Sequence, residues 1–172
     1  QVTYASAGLG TGPHLAAEMF SSMAGVRMNH IPYKGANPAL VDLVGGHAQV
    51  MFATMVSSLP HVQSARLRAV AATSAKRTRI LPDLPTMMES GLPEFEAVGW
   101  YMVMVRAGTP EPAIARIHAA LDGALGDPAV RERFAGEGAE VVANRPGQAM
   151  EFLRAEVARW AAVVKAAGLK AE

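Results

Sequence analysis

The chain contains no cysteine, and this absence removes three kinds of chemistry at once. Disulfide bonds, thiolate nucleophiles and sulfur-ligated metal sites all require that side chain, and a chain without it fits the cytosol and a bacterial periplasm equally well. An excess of one charge is also lacking, because 16 lysines and arginines stand against 15 acidic residues. Such a balance provides no bulk attraction for nucleic acid, so we expect no nucleic-acid partner.

Long apolar runs are missing as well, although 51% of the residues are hydrophobic. A membrane-spanning helix needs about 18 consecutive apolar residues, so we expect no direct membrane insertion. The 172 residues suffice for one compact domain or a pair of small lobes. The chain begins at Gln1 without a methionine or a secretory signal, and a strand-like run follows almost at once. This start is typical of a processed or cut end, and we expect a longer parent protein.

The stretch from Tyr4 to His14 combines a short extended run, alternating glycines and the start of a helix. The glycines let the backbone approach a ligand closely, and Pro13 suits a first helical turn. The unpaired N–H groups and the positive end of a helix dipole favour a bound anion. A nucleotide site is not expected, because Pro13 replaces the third glycine of the dinucleotide fingerprint and no Gly-Lys-Ser/Thr follows. By spacing alone, a purely structural turn is an equally good interpretation.

Strand-like and helical segments alternate over residues 1–73, the rhythm of a parallel sheet with right-handed crossovers. The predicted strands are the opening run, 26–31, 48–53 and 68–73. The predicted helices are 13–25, one that begins at Asn37-Pro38 with the asparagine as its cap, and 59–66, which begins near Pro60. Ligands of such sheets bind beyond the carboxyl ends of the strands. The loops 6–11, 32–36 and 53–57 occupy that position, so we expect them to converge on one edge.

The second half of the chain is rich in helix and has little strand of its own. A proline-punctuated loop with a short helix near 86–90 precedes 95–105, a long apolar segment typical of a strand that crosses between lobes. The predicted elements that follow are helices beginning at Pro110, Pro128 and Pro146 and a short strand at 139–143. The apolar stripes of these helices need a sheet to cover, and we expect most of that sheet to lie outside this sequence.

The motifs of this chain strongly resemble those of the Bug family, the extracytoplasmic solute receptors of tripartite tricarboxylate transporters. The resemblance covers essentially the whole chain and is carried by SAGLGTGPHLA at 6–16, IPYKGANPA at 31–39, DLVGG at 42–46, VMF at 50–52, LPDLPT at 81–86, GLP at 91–93 and AGTP at 107–110. It implies an α/β, periplasmic binding protein type II-like fold with a mainly parallel sheet flanked by helices. It also implies a periplasmic receptor, not an enzyme, without cofactor or metal, that closes on a small carboxylate and delivers it to transporter membrane subunits.

The resemblance also implies how the chain divides. Residues 1–98 match the second ligand-binding lobe, and residues 99–172 match the crossover strand and the carboxyl-terminal helices that return to the first lobe. No first-lobe segment precedes them in this sequence, so we expect that lobe to be incomplete. Uncovered apolar stripes favour association of this partial chain with a second copy, a homo-oligomer. A single lobe offers one wall of the cleft, so we expect weak or no binding by the 172 residues alone.

Carried over residue by residue, the resemblance places the ligand between three loops. The matched ligand-binding positions are Ser6, Gly8, Gly10, Thr11, His14, Tyr33, Lys34, Gly35, Ala36 and Ala53. The first loop is implied to hold a carboxylate through hydroxyl and main-chain N–H donors. Ala53 departs from the family pattern, because many relatives carry aspartate or asparagine there, and this disfavours an amino-acid ligand over a plain mono- or dicarboxylate. Structural roles remain open for His14, Tyr33 and Lys34.

Two functions of other classes compete with a receptor. A hydrolase could use Ser6 or Ser57 with His14, although no Gly-x-Ser-x-Gly elbow is present. The histidines at 14, 30, 47, 61 and 118 have no metal-binding spacing such as His-Glu-x-x-His. The second alternative is the ligand-sensing domain of a transcription regulator, which shares the two-lobed architecture and would require a DNA-binding helix-turn-helix upstream.

Overall fold

The computed structural model describes residues 1–168. Over that range, the chain forms a sheet of three strands together with six helices. In chain order these are β1 (Thr3–Ser6), α1 (Gly12–Ala24), β2 (Asn29–Pro32), α2 (Ala36–Val44), β3 (Val50–Met51), α3 (Met55–Gln63), α4 (Glu111–Gly126), α5 (Pro128–Gly136) and α6 (Pro146–Ala166).

The sheet is parallel, with the strand order β2-β1-β3. In the central strand, Tyr4 lies opposite His30 of β2 on one side and Val50 of β3 on the other. This central position explains why Tyr4 and Ala5 are fully buried. Ala5 belongs to a small buried cluster with Ala39, through which α2 packs against β1. The predicted α/β architecture, a parallel sheet flanked by helices, is confirmed.

Helix α1 begins and ends where the sequence predicts. Thr11 is its N-cap with extended backbone, and Pro13 lies in the first turn, where an N–H group has no helical partner to lose. At the other end, Gly25 adopts φ 64°, a left-handed conformation that glycine tolerates without strain. Its N–H group donates to the carbonyl of Ser21. Because Thr11 is the last residue of the glycine loop, α1 begins directly where that loop ends.

Helix α2 begins two residues earlier than predicted. Ala36 is its first residue, so the Asn37-Pro38 pair lies inside the first turn and not at the helix start. The N-cap is Gly35, whose φ of 118° is open to glycine and unfavourable for other residues. The prediction of an asparagine cap was wrong because this glycine already turns the chain into the helix.

Helix α3 also begins earlier, at Met55 and not near Leu59. Thr54 is the N-cap, and its carbonyl accepts the hydroxyl hydrogen bonds of Ser57 at 3.0 Å and Ser58 at 2.9 Å. These bonds organise the first turn in a segment that the sequence predicts as a loop. The interpretation of Pro60 as a helix start was wrong, because Pro60 is accommodated inside the helix.

Three predicted strands are absent from the described residues, and so is one short helix. Segments 68–73, 95–105 and 139–143 lack the hydrogen-bond ladder of a strand, and 86–90 forms turns. The pairing of the first segment is reduced to a single bridge between Ala72 and Thr86. These predictions were wrong because an apolar pattern identifies chain that suits a strand, whereas a strand also needs a neighbour to pair with.

Helix α6 packs against α1 and is joined to the segment before α4 through a buried carboxylate. Glu156 accepts hydrogen bonds from the indole N–H groups of Trp100 at 2.9 Å and Trp160 at 3.1 Å, and it forms a 2.9 Å salt bridge with Arg159. Arg159 also donates to the carbonyl of Glu96 at 3.0 Å. These bonds hold the chain around residues 96–100 against α6. Among residues 1–168, no helix combines the length and hydropathy of a membrane span.

Candidate ligand-binding site

The carboxyl ends of the three strands lead into loops that lie at one edge of the sheet. The first two loops are joined by main-chain hydrogen bonds, from Tyr33 N–H to Ser6 O at 3.1 Å and from Gly35 N–H to Ala7 O at 3.0 Å. The third loop follows β3, which pairs in parallel with β1, and it begins beside Ala53. The predicted convergence of the three loops is therefore present. Helices α1, α2 and α3 all begin at this edge.

Gly8 is the point of closest approach between the first two loops. It has a φ of 132°, and a side-chain Cβ placed there would lie 3.1 Å from the carbonyl oxygen of Tyr33. Both the backbone conformation and the contact therefore require glycine at this position. This requirement is structural, whatever the loop binds.

The polar groups of the first loop mostly bond to one another. Ser6 is fully buried, and its hydroxyl oxygen accepts the N–H of Gly8 at 3.1 Å. Gly10 donates its N–H to Nδ1 of His14 at 3.0 Å, and the Thr11 hydroxyl donates to the carbonyl of Gly8 at 2.7 Å. The resemblance implies that these groups donate to a ligand carboxylate. The structure instead gives each of them an acceptor or donor within the loop.

The first turn of α1 supplies further donors, and the main-chain N–H group of Leu9 in the loop likewise has no acceptor among residues 1–168. The main-chain N–H groups of Gly12 and His14 have no hydrogen-bond acceptor among residues 1–168. They are the unpaired donors that every helix start presents, and the dipole of α1 adds positive potential at the same place. An anion bound at this edge would therefore find free backbone donors at Gly12 and His14 and, within the glycine loop, at Leu9.

A stack of aromatic rings lies beneath the loop. Tyr4, His30 and His14 are stacked in that order, with ring centroids 4.6 Å and then 4.2 Å apart. The Tyr4 hydroxyl donates to Glu18 of α1 at 2.5 Å, and Nε2 of His30 lies 2.6 Å from the Ser6 hydroxyl oxygen. The stack therefore connects the base of the first loop to α1.

Burial shifts the pKa values of the ionisable rings in this stack. It lowers the pKa of both His14 and His30, and the neighbouring Glu18 carboxylate opposes this shift in part. The pKa of Tyr4 is raised by burial and by its bond to Glu18. His30 was missed by sequence reasoning, since only the pairing register of β2 with β1 shows that it faces the loop. The lowered pKa values favour the neutral form of both His14 and His30.

The second loop is anchored through Tyr33 and exposes Lys34. The Tyr33 hydroxyl donates to Oδ2 of Asp42 in α2 at 2.7 Å, and this bond raises the pKa of the Tyr33 phenol. Lys34 is exposed, and its ammonium forms no ion pair with any residue of the described range. Gly35 and Ala36 form the start of α2 beside it. The loop thus offers a free cation beside the start of α2.

The arrangement does not fit the serine hydrolase alternative. Ser6 is hydrogen-bonded to His30 and not to His14, and its complete burial leaves its oxygen inaccessible to a substrate. Ser57 bonds to the hydroxyl and carbonyl of Thr54 and has no histidine partner among residues 1–168. Within the described range, no three histidine or acidic side chains are grouped as metal ligands would be.

The family assignment comes from a match along nearly the whole chain. The model described as the tripartite tricarboxylate transporter family receptor, TctC, matches residues 1–169. The chain belongs to this family. The Bug resemblance is thereby confirmed, and so is the prediction that the chain belongs with receptors and not with enzymes.

Individual relatives of the TctC family agree with this assignment. Protein BugT of Bordetella pertussis is 41% identical over 170 residues, which are 99% of this chain and 52% of BugT. Among solved structures, R. palustris Rpa4515 with adipate has a TM-score of 0.93 at 33% identity, covering 98% of this chain and 56% of that one. The periplasmic binding protein BugD has a TM-score of 0.91 at 36% identity, with coverages of 99% and 58%.

A further TctC-like structure contains a smaller acid. MatC (Rpa3494) from Rhodopseudomonas palustris with bound malate has a TM-score of 0.85 at 31% identity, covering 95% of this chain and 56% of that one. The present chain thus spans about half the length of the relatives that it matches. These structures confirm that its fold is that of a periplasmic binding protein of this family.

Proposed function

We propose that this TctC-family chain carries one wall of a receptor site for a small dicarboxylate. The observation that carries the proposal is that the free N–H groups of Gly12 and His14 and the free cation of Lys34 lie on elements that meet at the same edge of the sheet. Helix-start donors and an ammonium both favour a carboxylate over a neutral or cationic ligand. Two family members of closely similar fold have adipate and malate bound.

The absence of an acidic side chain in the third loop narrows the ligand class. An amino-acid ligand presents an ammonium, which needs a carboxylate or several carbonyl groups to receive it. Ala53 offers no side-chain acceptor where the family pattern often has aspartate or asparagine. A dicarboxylate without an amine therefore fits this wall better than aspartate or glutamate does.

The proposed site residues divide into those that donate to the ligand and those that shape the loops around it. Gly12, His14 and Lys34 supply donors to the ligand, the first two through their backbone. The others, which shape the loops that hold these donors, are Ser6, Gly8, Gly10, Thr11, Tyr33, Gly35, Ala36 and Ala53. This division keeps every residue that the resemblance implies and adds Gly12.

The setting of this site is proposed from the family. Residues 1–98 act as one ligand-binding lobe, and residues 99–172 link it to the remainder of the receptor. The complete protein works in the periplasm and delivers its ligand to the membrane subunits of a tripartite tricarboxylate transporter, and self-association of the chain through its apolar helices stays a prediction. The family assignment and the periplasmic binding protein BugD support this setting.

Calorimetric titration of the complete gene product tests the proposal. The panel is adipate, malate and succinate, with aspartate as the amine-bearing analogue of succinate and putrescine as a cationic analogue of similar length. We expect a dicarboxylate to bind and putrescine not to bind, and aspartate to bind more weakly than succinate. Binding of putrescine without binding of any dicarboxylate would contradict the proposal.

A further inference from the structure

The hydrogen bond between Gly10 and His14 sets the condition under which the loop keeps its shape. Gly10 N–H donates to Nδ1 of His14 at 3.0 Å, and His14 is only 4% exposed. A ring nitrogen accepts a hydrogen bond only when it carries no proton. The bond therefore assigns the neutral tautomer with its proton on Nε2.

Protonation of His14 would place two donors against each other. An imidazolium carries a proton on Nδ1, which would point at the Gly10 N–H across the same 3.0 Å. It would also bring a positive charge to the positive end of the α1 dipole. Gly10 would then have to move away, together with the loop that leads into Gly12.

We propose that His14 is a positioning residue that holds the ligand loop through Gly10 and releases it on protonation, so that carboxylate binding weakens in acid. This inference rests on the proposed function, because it concerns the same loop. His14 then has two separate roles: its backbone N–H faces the ligand, and its imidazole fixes the preceding turn.

His30 cannot replace His14 in this role, although the two rings are stacked 4.2 Å apart. If His30 gains a proton, its Nε2 can donate to the Ser6 hydroxyl oxygen, 2.6 Å away. The Ser6 hydroxyl can then donate to the carbonyl of Gly8, which lies at 3.1 Å. The bonds around Ser6 therefore survive protonation of His30, whereas the bond of His14 does not survive its own.

The other ionisable groups around the stack favour the same conclusion. Glu18 of α1 is the carboxylate that acts on both rings, and it is engaged by the Tyr4 hydroxyl of β1. On the flanking elements, Asp42 of α2 is bonded to Tyr33, and Glu156 of α6 to Trp100, Arg159 and Trp160. The strand β3 carries no ionisable side chain. Burial, the largest influence on both rings, keeps them neutral above the ordinary value of 6.5 and for some distance below it.

The matched variants are His14→Asn and His47→Asn. Asparagine places its Oδ1 where Nδ1 of histidine lies, so His14→Asn keeps an acceptor for Gly10 that does not titrate. His47 is an exposed histidine after α2 and reports any general effect of replacing a histidine. Two measurements are made on the complete gene product from about pH 7.5 to about pH 5: the NMR shifts of the Gly10 amide and the His14 Nδ1, and the adipate affinity.

We expect the Gly10 amide and His14 Nδ1 resonances of the wild type and of His47→Asn to titrate together, below pH 6.5. In His14→Asn the Gly10 amide stays constant. Below the midpoint of that titration, adipate affinity falls more steeply in the wild type than in His14→Asn, by up to about tenfold per pH unit. Protonation of adipate itself affects both proteins equally and cancels in the comparison.

A Gly10 amide that does not change while His14 Nδ1 titrates would overturn the inference, and so would equal pH dependence of affinity in the wild type and His14→Asn. If His14→Asn fails to fold, the two wild-type resonances still decide, because the proposal requires them to titrate together. If none of adipate, malate and succinate binds at any pH while the resonances titrate together, the proposed function fails and the role of His14 in the loop stands.

Discussion

The hydroxyl oxygen of Ser6 lies 2.6 Å from Nε2 of His30, and the serine is completely buried. The same oxygen accepts the N–H of Gly8 at 3.1 Å. Ser6 of β1 is thus hydrogen-bonded to both β2 and the first loop. Loss of the Ser6 hydroxyl would therefore affect ligand binding by changing the position of the loop, and not by removing a contact with the ligand.

We predict that Ser6→Ala destabilises the protein by about 1–3 kcal/mol, because a buried N–H and a buried imidazole both lose their partner. Urea unfolding followed by circular dichroism measures this. The control is Ser22→Ala, at an exposed serine of α1, which should lower the free energy of unfolding by less than about 0.5 kcal/mol or raise it slightly, since alanine suits a helix better than serine. Equal effects of the two variants would show that the Ser6 bonds contribute nothing.

Gly8→Ala should destabilise the first loop. The φ of 132° and the 3.1 Å approach to the Tyr33 carbonyl leave no room for a side chain, so strain of about 1–3 kcal/mol is expected. Gly147→Ala is the matched control, because this glycine lies inside α6 with no atom near its added Cβ, and alanine there should be neutral or stabilising. Unfolding midpoints in urea compare the two. A Gly8→Ala protein as stable as the wild type would contradict the described loop geometry.

Glu156 should be required for the attachment of α6 to the chain near Trp100. Glu156→Gln turns one of the two oxygens that face the indole N–H groups and Arg159 into an NH2 donor, and it leaves Arg159 without its counter-charge. We expect a loss of about 1.5–3 kcal/mol in unfolding free energy and a change in tryptophan fluorescence. Glu151→Gln, at an exposed carboxylate of the same helix, should change neither.

The carboxylate of Glu156 should also make a contribution to the free energy of unfolding that is lost at low pH. Burial alone would raise the pKa of Glu156, but hydrogen bonds from Trp100, Arg159 and Trp160 outweigh it and lower the pKa. The unfolded chain then binds the proton more readily, so this contribution is complete above the ordinary value of 4.5 and is lost as the pH falls below it. As the pH is lowered through 4.5, the unfolding free energy should fall more steeply for the wild type than for Glu156→Gln. Parallel curves would contradict the prediction.

Lys34 should contribute to affinity and not to folding. Its ammonium is exposed and pairs with no described residue, so Lys34→Gln should leave the unfolding midpoint unchanged. Adipate affinity should fall by about fivefold to tenfold at low ionic strength, and by less in high salt. Lys76→Gln, at another exposed lysine, should leave the affinity as it is. A Lys34→Gln protein that binds adipate as tightly as the wild type would remove Lys34 from the site.

The sequence predicted the parts of the fold that local signals determine. Alternating glycines, Pro13 in a first turn and Gly25 at a helix end are short-range signals, and α1 followed from them. The convergence of the loops followed from the alternation of strand-like and helical segments. The elements that depend on distant partners were predicted less well. Segment 95–105 has the composition of a strand but lacks a ladder partner in the described residues, and Tyr101 within it is 92% exposed.

The candidate site shows the same division. The loops could be found from their residues, but the use of each polar group could not. Whether the Gly10 N–H faces a ligand or Nδ1 of His14 depends on a side-chain rotation that spacing does not encode. The role of His30 depends on the register of β2 against β1, which pairs it with Tyr4. Sequence reasoning therefore identified the candidate loops, and the structure was needed to show which of their polar groups are already hydrogen-bonded within the protein.

The most direct test of carboxylate binding at this edge is amide NMR of the complete gene product during titration with adipate. The account predicts that the amide resonances of Gly12 and His14 shift most, because their N–H groups are the free donors at the start of α1. It also predicts little change in the groove between residues 62–70 and 80–85, which contains none of the three loops. Saturable adipate binding with the shifts concentrated in that groove, and none at Gly12 and His14, would contradict it.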